Sequence, residues 1–136
     1  MIAVIDAVPG WPGFFVFLFA FAIGHVLTDY PLQGSFLAQA KNRHNSTIIL
    51  AGEAKPPRGL WIHALTAHSL IQGGAVWVIS GSVTLAALEV VLHWAIDFFK
   101  CEGWFGYTTD QALHITCKAA YALVISTGWW MTAALP

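Results

Sequence analysis

The chain has 136 residues, of which 57% are apolar and only 10% are charged. A soluble domain of this size normally carries about 25% charged residues, because a small globule has far more surface than core. With a net charge of −1 and six scattered Lys and Arg residues, the chain also offers no basic patch for nucleic acid. The composition indicates one compact membrane domain that has the lipid bilayer as a partner and binds no nucleic acid.

The first predicted span covers residues 11–33. No Asp, Glu, Lys or Arg lies between Asp6 and Asp29, and the stretch from Trp11 to Val26 is dense in Phe, Leu, Ile and Val. A signal peptide is the competing interpretation, but no basic segment precedes the apolar run and no small-residue cleavage site follows it. We therefore expect a helix that stays in the bilayer.

A second charge-free run covers residues 59–88. As one helix it would be about 45 Å long, which exceeds a bilayer core of about 30 Å. The Ser-Gly-Ser sequence at 80–82 favours a turn that divides the run. The division predicts spans over 60–79 and 83–100, joined as an antiparallel hairpin.

The last predicted span covers residues 110–132. Thr108 and Gln111 have the spacing of a capping box at its start. For the loop 34–59 we expect irregular structure or a short surface helix. Continuously apolar runs favour helices over strands, since a helix satisfies its own backbone hydrogen bonds in lipid. The predicted fold class is all-α, a four-transmembrane-helix bundle in a single membrane domain over residues 1–136.

All six cations are compatible with one orientation of these spans. Four lie in the 34–59 loop, one ends the third span and one lies early in the fourth. By the positive-inside rule, the 34–59 and 100–110 loops are cytoplasmic and both termini are extracytoplasmic.

Ionisable residues inside the predicted spans recur at a spacing of four, which places them on one helix face. His63 opens the second span, and every repeat lies in the predicted cytoplasmic half. If these helix faces turn toward the interior of the bundle, their ionisable side chains meet in one pocket. They are His25, Asp29 and Gln33; Glu89, His93 and Asp97, followed by Lys100; and Asp110, His114 and Lys118.

Imidazole and carboxylate groups are the usual ligands of zinc and other divalent first-row metals. A bound metal would supply a hydroxide nucleophile, which predicts a metal-dependent hydrolase using zinc, manganese or iron. We expect catalytic side chains at Asp110, Lys100 and Gln33. The predicted ligands are His25, Asp29, His93, Asp97 and His114 for one metal, with Asp110 and His63 added if there are two.

Three other interpretations stay open. Asp–His pairs can simply neutralise each other and hold helices together. The stripes can relay protons, or the small apolar chain can be a structural accessory subunit of a larger membrane protein complex. His68 shares a face with Gln72 but points about 140° from His63, so it is the weaker candidate. We expect Glu89 to be protonated or hydrogen-bonded to another helix.

These positions resemble the signature of a bacterial family of small integral membrane proteins, domain of unknown function 3307. The resemblance implies a multi-pass protein of the bacterial inner (cytoplasmic) membrane and supplies no reaction. The matching residues are His25, Asp29, Tyr30, Leu32 and Gln33 with Lys41; His63; His93, Asp97, Phe98 and Lys100; and Asp110, Gln111 and His114.

Overall fold

A computed structural model describes residues 9–45, 47–48 and 56–128. The described residues form helices and no strands, which confirms the all-α prediction. The end of the last predicted span, residues 129–132, lies outside the described residues. The helices are α1 (Gly10–Asp29), α2 (Gly34–Ala40), α3 (Leu60–Ser80), α4 (Val83–Cys101) and α5 (Tyr107–Ser126).

The first helix ends at Asp29 and not at residue 33. Pro31 has no N–H to continue the backbone ladder, and Gly34, with φ of 59°, turns the chain into α2. This seven-residue helix lies in the loop where a short helix was one of two expectations. It packs against α3, so part of the loop is fixed to the bundle.

The predicted turn between the second and third spans is present. Gly81 has φ of 71° and its N–H donates to the Trp77 carbonyl at 2.7 Å, which closes α3. The Ser82 hydroxyl accepts a hydrogen bond from the Leu85 N–H at 3.0 Å and caps α4. A turn this short makes α3 and α4 antiparallel neighbours.

The four long helices pack in a ring. Helix α1 contacts α3 and α5, and α4 contacts the same two helices. One half of the interior is an apolar core of Phe17, Phe21, Val76, Leu85, Tyr121 and Ala122. These residues lie early in α1 and α4 and late in α3 and α5. The late parts of α1 and α4 and the early parts of α3 and α5 therefore meet in the other half of the interior.

Two helices, α1 and α3, are long and apolar enough to cross a membrane by length and composition. Helices α4 and α5 carry more ionisable residues and fall short of that measure. The fold therefore confirms an all-helical chain with two candidate spans, and not the full four-span bundle. Large apolar side chains are nevertheless exposed on the long helices, among them Trp11, Phe19, Leu70, Val91 and Leu123.

Candidate metal centre

Ionisable side chains fill the half of the interior opposite the apolar core. They come from all four long helices and from the residue that ends α2. Burying a charged group is costly unless it is paired, so the contacts of each group decide what it can do. We call this set the polar cluster; its buried or nearly buried members are His25, Asp29, Lys41, His68, Glu89, His93, Asp97, Asp110, His114 and Lys118.

Two imidazole rings face each other within the polar cluster. His93 Nε2 lies 3.0 Å from His68 Nε2, and Asp29 Oδ1 lies 3.2 Å from that same His68 nitrogen. Asp97 Oδ2 is 3.5 Å from His68 Nε2 and 3.7 Å from His93 Nε2. Ligands of a tetrahedral metal with bonds of about 2.0–2.2 Å lie roughly 3.3–3.6 Å apart. The separations of 3.0 and 3.2 Å are slightly shorter than this, so the atoms would have to move apart by a few tenths of an ångström around a metal. Asp29, His68 and His93 are a candidate metal site in that sense, the His68–His93 site, with Asp97 in reach.

Glu89 determines how the His93 ring is protonated. Glu89 Oε1 lies 3.1 Å from His93 Nδ1, and because a carboxylate only accepts, Nδ1–H donates. The lone pair of a neutral ring then lies on Nε2, which faces His68. Lys118 Nζ donates to the same Glu89 oxygen and balances its charge. Metal-binding histidines commonly donate their second N–H to a carboxylate, so this contact suits His93 to binding a cation.

A second set of ligand atoms shares Asp97. His114 Nε2 lies 3.6 Å from Asp97 Oδ1 and 3.5 Å from Asp110 Oδ1. The ring of His114 stacks on that of His93, with centroids 4.0 Å apart. Asp97, Asp110 and His114 are thus a second candidate metal group, which we call the His114 site.

Lys41 and Gln33 reach the polar cluster from the segment that follows α1. Lys41 Nζ donates to Asp97 Oδ2 at 2.6 Å, and both side chains are buried. With its amide oriented to satisfy its neighbours, Gln33 donates to the Asp29 carbonyl oxygen at 2.9 Å and accepts from Lys41 Nζ at 2.5 Å. These bonds connect the end of α1 and the end of α2 to α4.

His25 contacts the polar cluster through two glutamines. Its Nδ1 lies 3.4 Å from Gln72 Oε1, and its Nε2 lies 3.2 Å from Gln111 Oε1. Gln111 Nε2 in turn donates to Asp29 Oδ2 at 3.0 Å and to Asp110 Oδ2 at 3.2 Å. Both ring nitrogens of His25 thus face amide oxygens, and among the described residues His25 belongs to none of the groups of candidate metal-ligand atoms.

Most of the other predicted site residues meet in one place. They share one end of the bundle because they lie late in α1 and α4 and early in α5. The predicted ligands Asp29, His93, Asp97 and His114 lie in the polar cluster, with the predicted catalytic residues Gln33 and Asp110.

His63 and Lys100, a predicted ligand and a predicted catalytic residue, lie outside the polar cluster. His63 is exposed on α3. It precedes His68 by five residues, or about 140° around the helix, so a buried His68 turns His63 outward. Lys100 is half-buried at the end of α4, whereas Lys41 and Lys118 are the lysines that bond to buried carboxylates.

Sequence reasoning undervalued two contributors to the polar cluster. His68 and Gln72 have the same spacing of four as the other stripes, and both are fully buried, so this spacing was the signal for the inward face of α3. Lys41 carried no such signal, because a lysine in a loop is usually solvated. Its burial depends on how α2 packs against α3.

A separate ion pair closes the end of α4 near the polar cluster. Arg43 donates to Glu102 Oε2 at 2.5 Å, and His44 Nε2 lies 3.0 Å from Glu102 Oε1. The hydrogen bond from Arg43 holds the pKa of Glu102 below its ordinary value. The Arg43 guanidinium also lies 5.3 Å from the Phe98 ring centroid. The segment after α2 is thereby held on α4.

Comparison with known proteins agrees with the resemblance in the sequence. A family model described as Protein of unknown function (DUF3307) matches residues 17–135. No curated protein and no solved structure matches the chain. The match covers all the residues of the polar cluster, so the site belongs to the part of the chain that the family shares.

Proposed function

The chain belongs to this family of unknown function, and from that premise we propose that it is a membrane-embedded hydrolase that depends on a divalent metal. The observation that carries the proposal is the convergence of His68 Nε2, His93 Nε2 and Asp29 Oδ1, with separations of 3.0 and 3.2 Å. Imidazole and carboxylate are the ligand types of zinc, manganese or iron sites, and these atoms would need to move apart by only a few tenths of an ångström to surround a metal.

The charge of the polar cluster supports a cation. Four carboxylates, those of Asp29, Glu89, Asp97 and Asp110, lie among the described residues of the interior, and only Asp29 reaches even 10% exposure. The two lysines of the cluster neutralise two of the four charges. With neutral imidazoles the interior keeps two uncompensated negative charges, which favour the binding of a divalent cation.

The membrane setting follows from the outer surface. Helices α4 and α5 match α1 and α3 in length and complete the ring with them. Their outer faces expose apolar side chains, among them Leu88, Val91 and Leu123. The ionisable residues that face inward are Glu89, His93, Asp97, Asp110, His114 and Lys118. We infer that all four helices span the bacterial inner membrane, because lipid is a suitable environment for such a surface, with both termini extracytoplasmic by the positive-inside rule.

The chemistry that the metal supplies is a hydroxide nucleophile at neutral pH. Such a hydroxide would add to the carbonyl carbon or phosphorus of the substrate as the bond to the leaving oxygen or nitrogen breaks. The carboxylates of the polar cluster would hold the proton released by the water and return it to the leaving atom. Asp29 is the metal ligand nearest to solvent or lipid, with 10% of its side chain exposed.

A groove between α1 and α3 supports a lipid-linked substrate. It has a volume of about 500 Å³ and is lined almost wholly by apolar side chains. Thr28, which precedes Asp29, lines it, so the groove reaches the level of the His68–His93 site along α1. An acyl chain in the groove would bring an adjoining ester, amide or phosphoester to that level. The other lining residues include Ile23, Gly24, Leu32, Gly74, Ala75 and Val78.

Metal analysis of the purified protein tests the proposal. We expect stoichiometric zinc, manganese or iron, and metal-dependent hydrolysis within a panel of ester, amide and phosphoester lipids. His68→Ala and the near-isosteric Asp29→Asn should lose both metal and activity.

His63→Ala is the matched control, since it removes an exposed histidine from the same helix. It should keep the full metal content. Protein that folds but carries no stoichiometric metal would overturn the proposal, as would equal metal loss in His63→Ala and His68→Ala.

A proton pathway is the second candidate function, and one observation favours it. Titratable groups form a connected chain from Lys118 through Glu89 to His93, with the last step 3.1 Å. From His93 the chain continues to Asp97 at 3.7 Å and then to Lys41 at 2.6 Å. In vesicles with a pH gradient, flux that disappears in Glu89→Gln would support the pathway, and no flux in the wild type would reject it.

A further inference from the structure

The geometry points to a second divalent cation in the His114 site, bound by Asp97 Oδ1, Asp110 Oδ1 and His114 Nε2 and bridged to the first cation through the Asp97 carboxylate. This inference rests on the proposed function, since it takes the His68–His93 site as the first metal position. It assigns the polar cluster as a dinuclear centre.

The atoms of the His114 site are spaced as ligands and are largely without other partners. His114 Nε2 lies 3.5 Å from Asp110 Oδ1 and 3.6 Å from Asp97 Oδ1, within the spacing of roughly 3.3–3.6 Å for a tetrahedral metal. His114 and Asp110 are almost completely buried. Within the described residues, His114 Nε2 and Asp110 Oδ1 make no hydrogen bond. Such buried polar atoms are rare in a stable interior unless they bind something.

Asp97 is placed to bridge the two metals. Its Oδ2, which also accepts from Lys41 Nζ, lies 3.5 Å from His68 Nε2 in the His68–His93 site, and its Oδ1 faces His114 Nε2. One carboxylate that offers an oxygen to each of two metals holds them close together, as in hydrolases whose two metals are about 3.5–4 Å apart. The stacked rings of His93 and His114 bring one imidazole ligand to each side.

Gln111 orients one carboxylate of each site in the same way. Its side-chain nitrogen donates to Asp29 Oδ2 at 3.0 Å and to Asp110 Oδ2 at 3.2 Å. The other oxygen of each carboxylate, Oδ1, belongs to a metal site: Asp29 Oδ1 to the first and Asp110 Oδ1 to the second. Hydrogen bonds that fix ligand orientation are typical of the outer shell of metal sites.

A third set of nearby ligand atoms, from Glu89, His93 and His114, is less suited to a cation. Lys118 Nζ bonds to Glu89 Oε1, the same oxygen that accepts from His93 Nδ1. Lys118 therefore compensates the Glu89 charge, and the Nδ1–H of His93 points toward it. Asp97 also has a lysine partner, Lys41, but only through Oδ2, and within the described residues no lysine contacts Asp110. The second cation belongs at Asp110.

Manganese loading separates this inference from the proposed function. The full-length protein in detergent is stripped of metal with a chelator, loaded with Mn²⁺ alone and desalted, and the bound metal is measured by mass spectrometry. We expect two Mn²⁺ per chain, with an electron paramagnetic resonance spectrum of two exchange-coupled ions. Asp110→Asn and His114→Gln should each keep one Mn²⁺ and show the spectrum of an isolated ion.

Glu102→Gln is the matched control, because it neutralises an acid outside the polar cluster. It should keep two coupled ions. One Mn²⁺ per wild-type chain, unchanged in folded Asp110→Asn, would overturn the second cation and leave the proposed function standing. Absence of bound Mn²⁺ and of any native metal would overturn both. Two ions without exchange coupling would overturn the Asp97 bridge.

Discussion

Lys41 Nζ donates a hydrogen bond to Asp97 Oδ2 at 2.6 Å, although 56 residues separate the two in the chain. The contact joins the end of α2 to a carboxylate that lies between both candidate metal sites. Lys41 therefore does two things: it compensates part of the buried negative charge, and it fixes the segment after α1 against α4.

We expect Lys41→Met to destabilise the protein by about 3–5 kcal/mol, the usual cost of removing one partner of a buried ion pair. The reason is that Asp97 stays buried without its ammonium partner. Thermal unfolding in detergent, with chelator present so that metal does not compensate, measures the loss.

The double variant Lys41→Met/Asp97→Asn is the control for this prediction. It removes both charges, so it should recover much of the stability lost in Lys41→Met. If the double variant is as unstable as the sum of the two single variants, the two residues are not coupled and the prediction is wrong.

The packing of α3 on α4 depends on Gly73. A Cβ at this position would lie 2.5 Å from Val90 Cγ2 and 2.9 Å from the Ala86 carbonyl oxygen. Because the Ala86 contact involves backbone, Gly73→Ala should push the helices apart and cost about 1–3 kcal/mol.

The adjacent Gly74→Ala provides the comparison. A Cβ there meets nothing within 4 Å, and alanine in a helix interior is favoured over glycine by about 0.5–1 kcal/mol. Gly74→Ala should therefore be neutral or stabilising in the same unfolding assay. Equal losses in both variants would contradict the close approach of α3 and α4 at Gly73.

The pair between Arg43 and Glu102 should make stability depend on pH. Because the Arg43 hydrogen bond lowers the pKa of Glu102 from its ordinary value of 4.5, folding favours the ionised carboxylate. This contribution is fully present above the ordinary pKa and is lost as the pH falls through the lowered one. Wild type should exceed Glu102→Gln in melting temperature at neutral pH and equal it in acid. A difference that persists in acid would reject the assignment.

Cysteine labelling in intact cells tests the proposed orientation. In a background with Cys101 and Cys117 replaced by serine, a membrane-impermeant maleimide should label Val83→Cys from outside. Thr108→Cys should react only after permeabilisation, because the first turn of α5 lies at the end of the bundle with the cytoplasmic charge bias. Both positions are exposed, so access is decided by the membrane alone. The reverse pattern would invert the topology.

Much of the fold was predictable from local sequence. The break at 80–82 follows from residue types that favour a turn, and the observed helices α3 and α4 end and begin there. The spacing of four in the stripes of α4 and α5 placed Asp97, Asp110 and His114 on shared faces, and these three side chains do meet. Such features depend on the periodicity of a single helix, which can be read from the spacing of residues in the sequence.

The inward face of α3 was not predictable in the same way. His63 and His68 are both plausible from sequence, because the residues around them are apolar on every side of the helix. A helix surrounded by lipid needs no polar outer face, so the spacing of His68 and Gln72 had no opposite polar face to support it as a signal. Packing of α3 against α1 and α4 selected His68.

The sequence by itself determined an all-helical, apolar chain whose acids and histidines recur at the spacing of one helix face. The tertiary structure decided which of them converge: His68 and not His63, and Lys41 and not Lys100. The physical reason is that helix periodicity acts over a few residues, whereas a metal site or buried ion pair needs atoms within about 4 Å of one another. Only the packing of the helices brings atoms from distant parts of the chain that close.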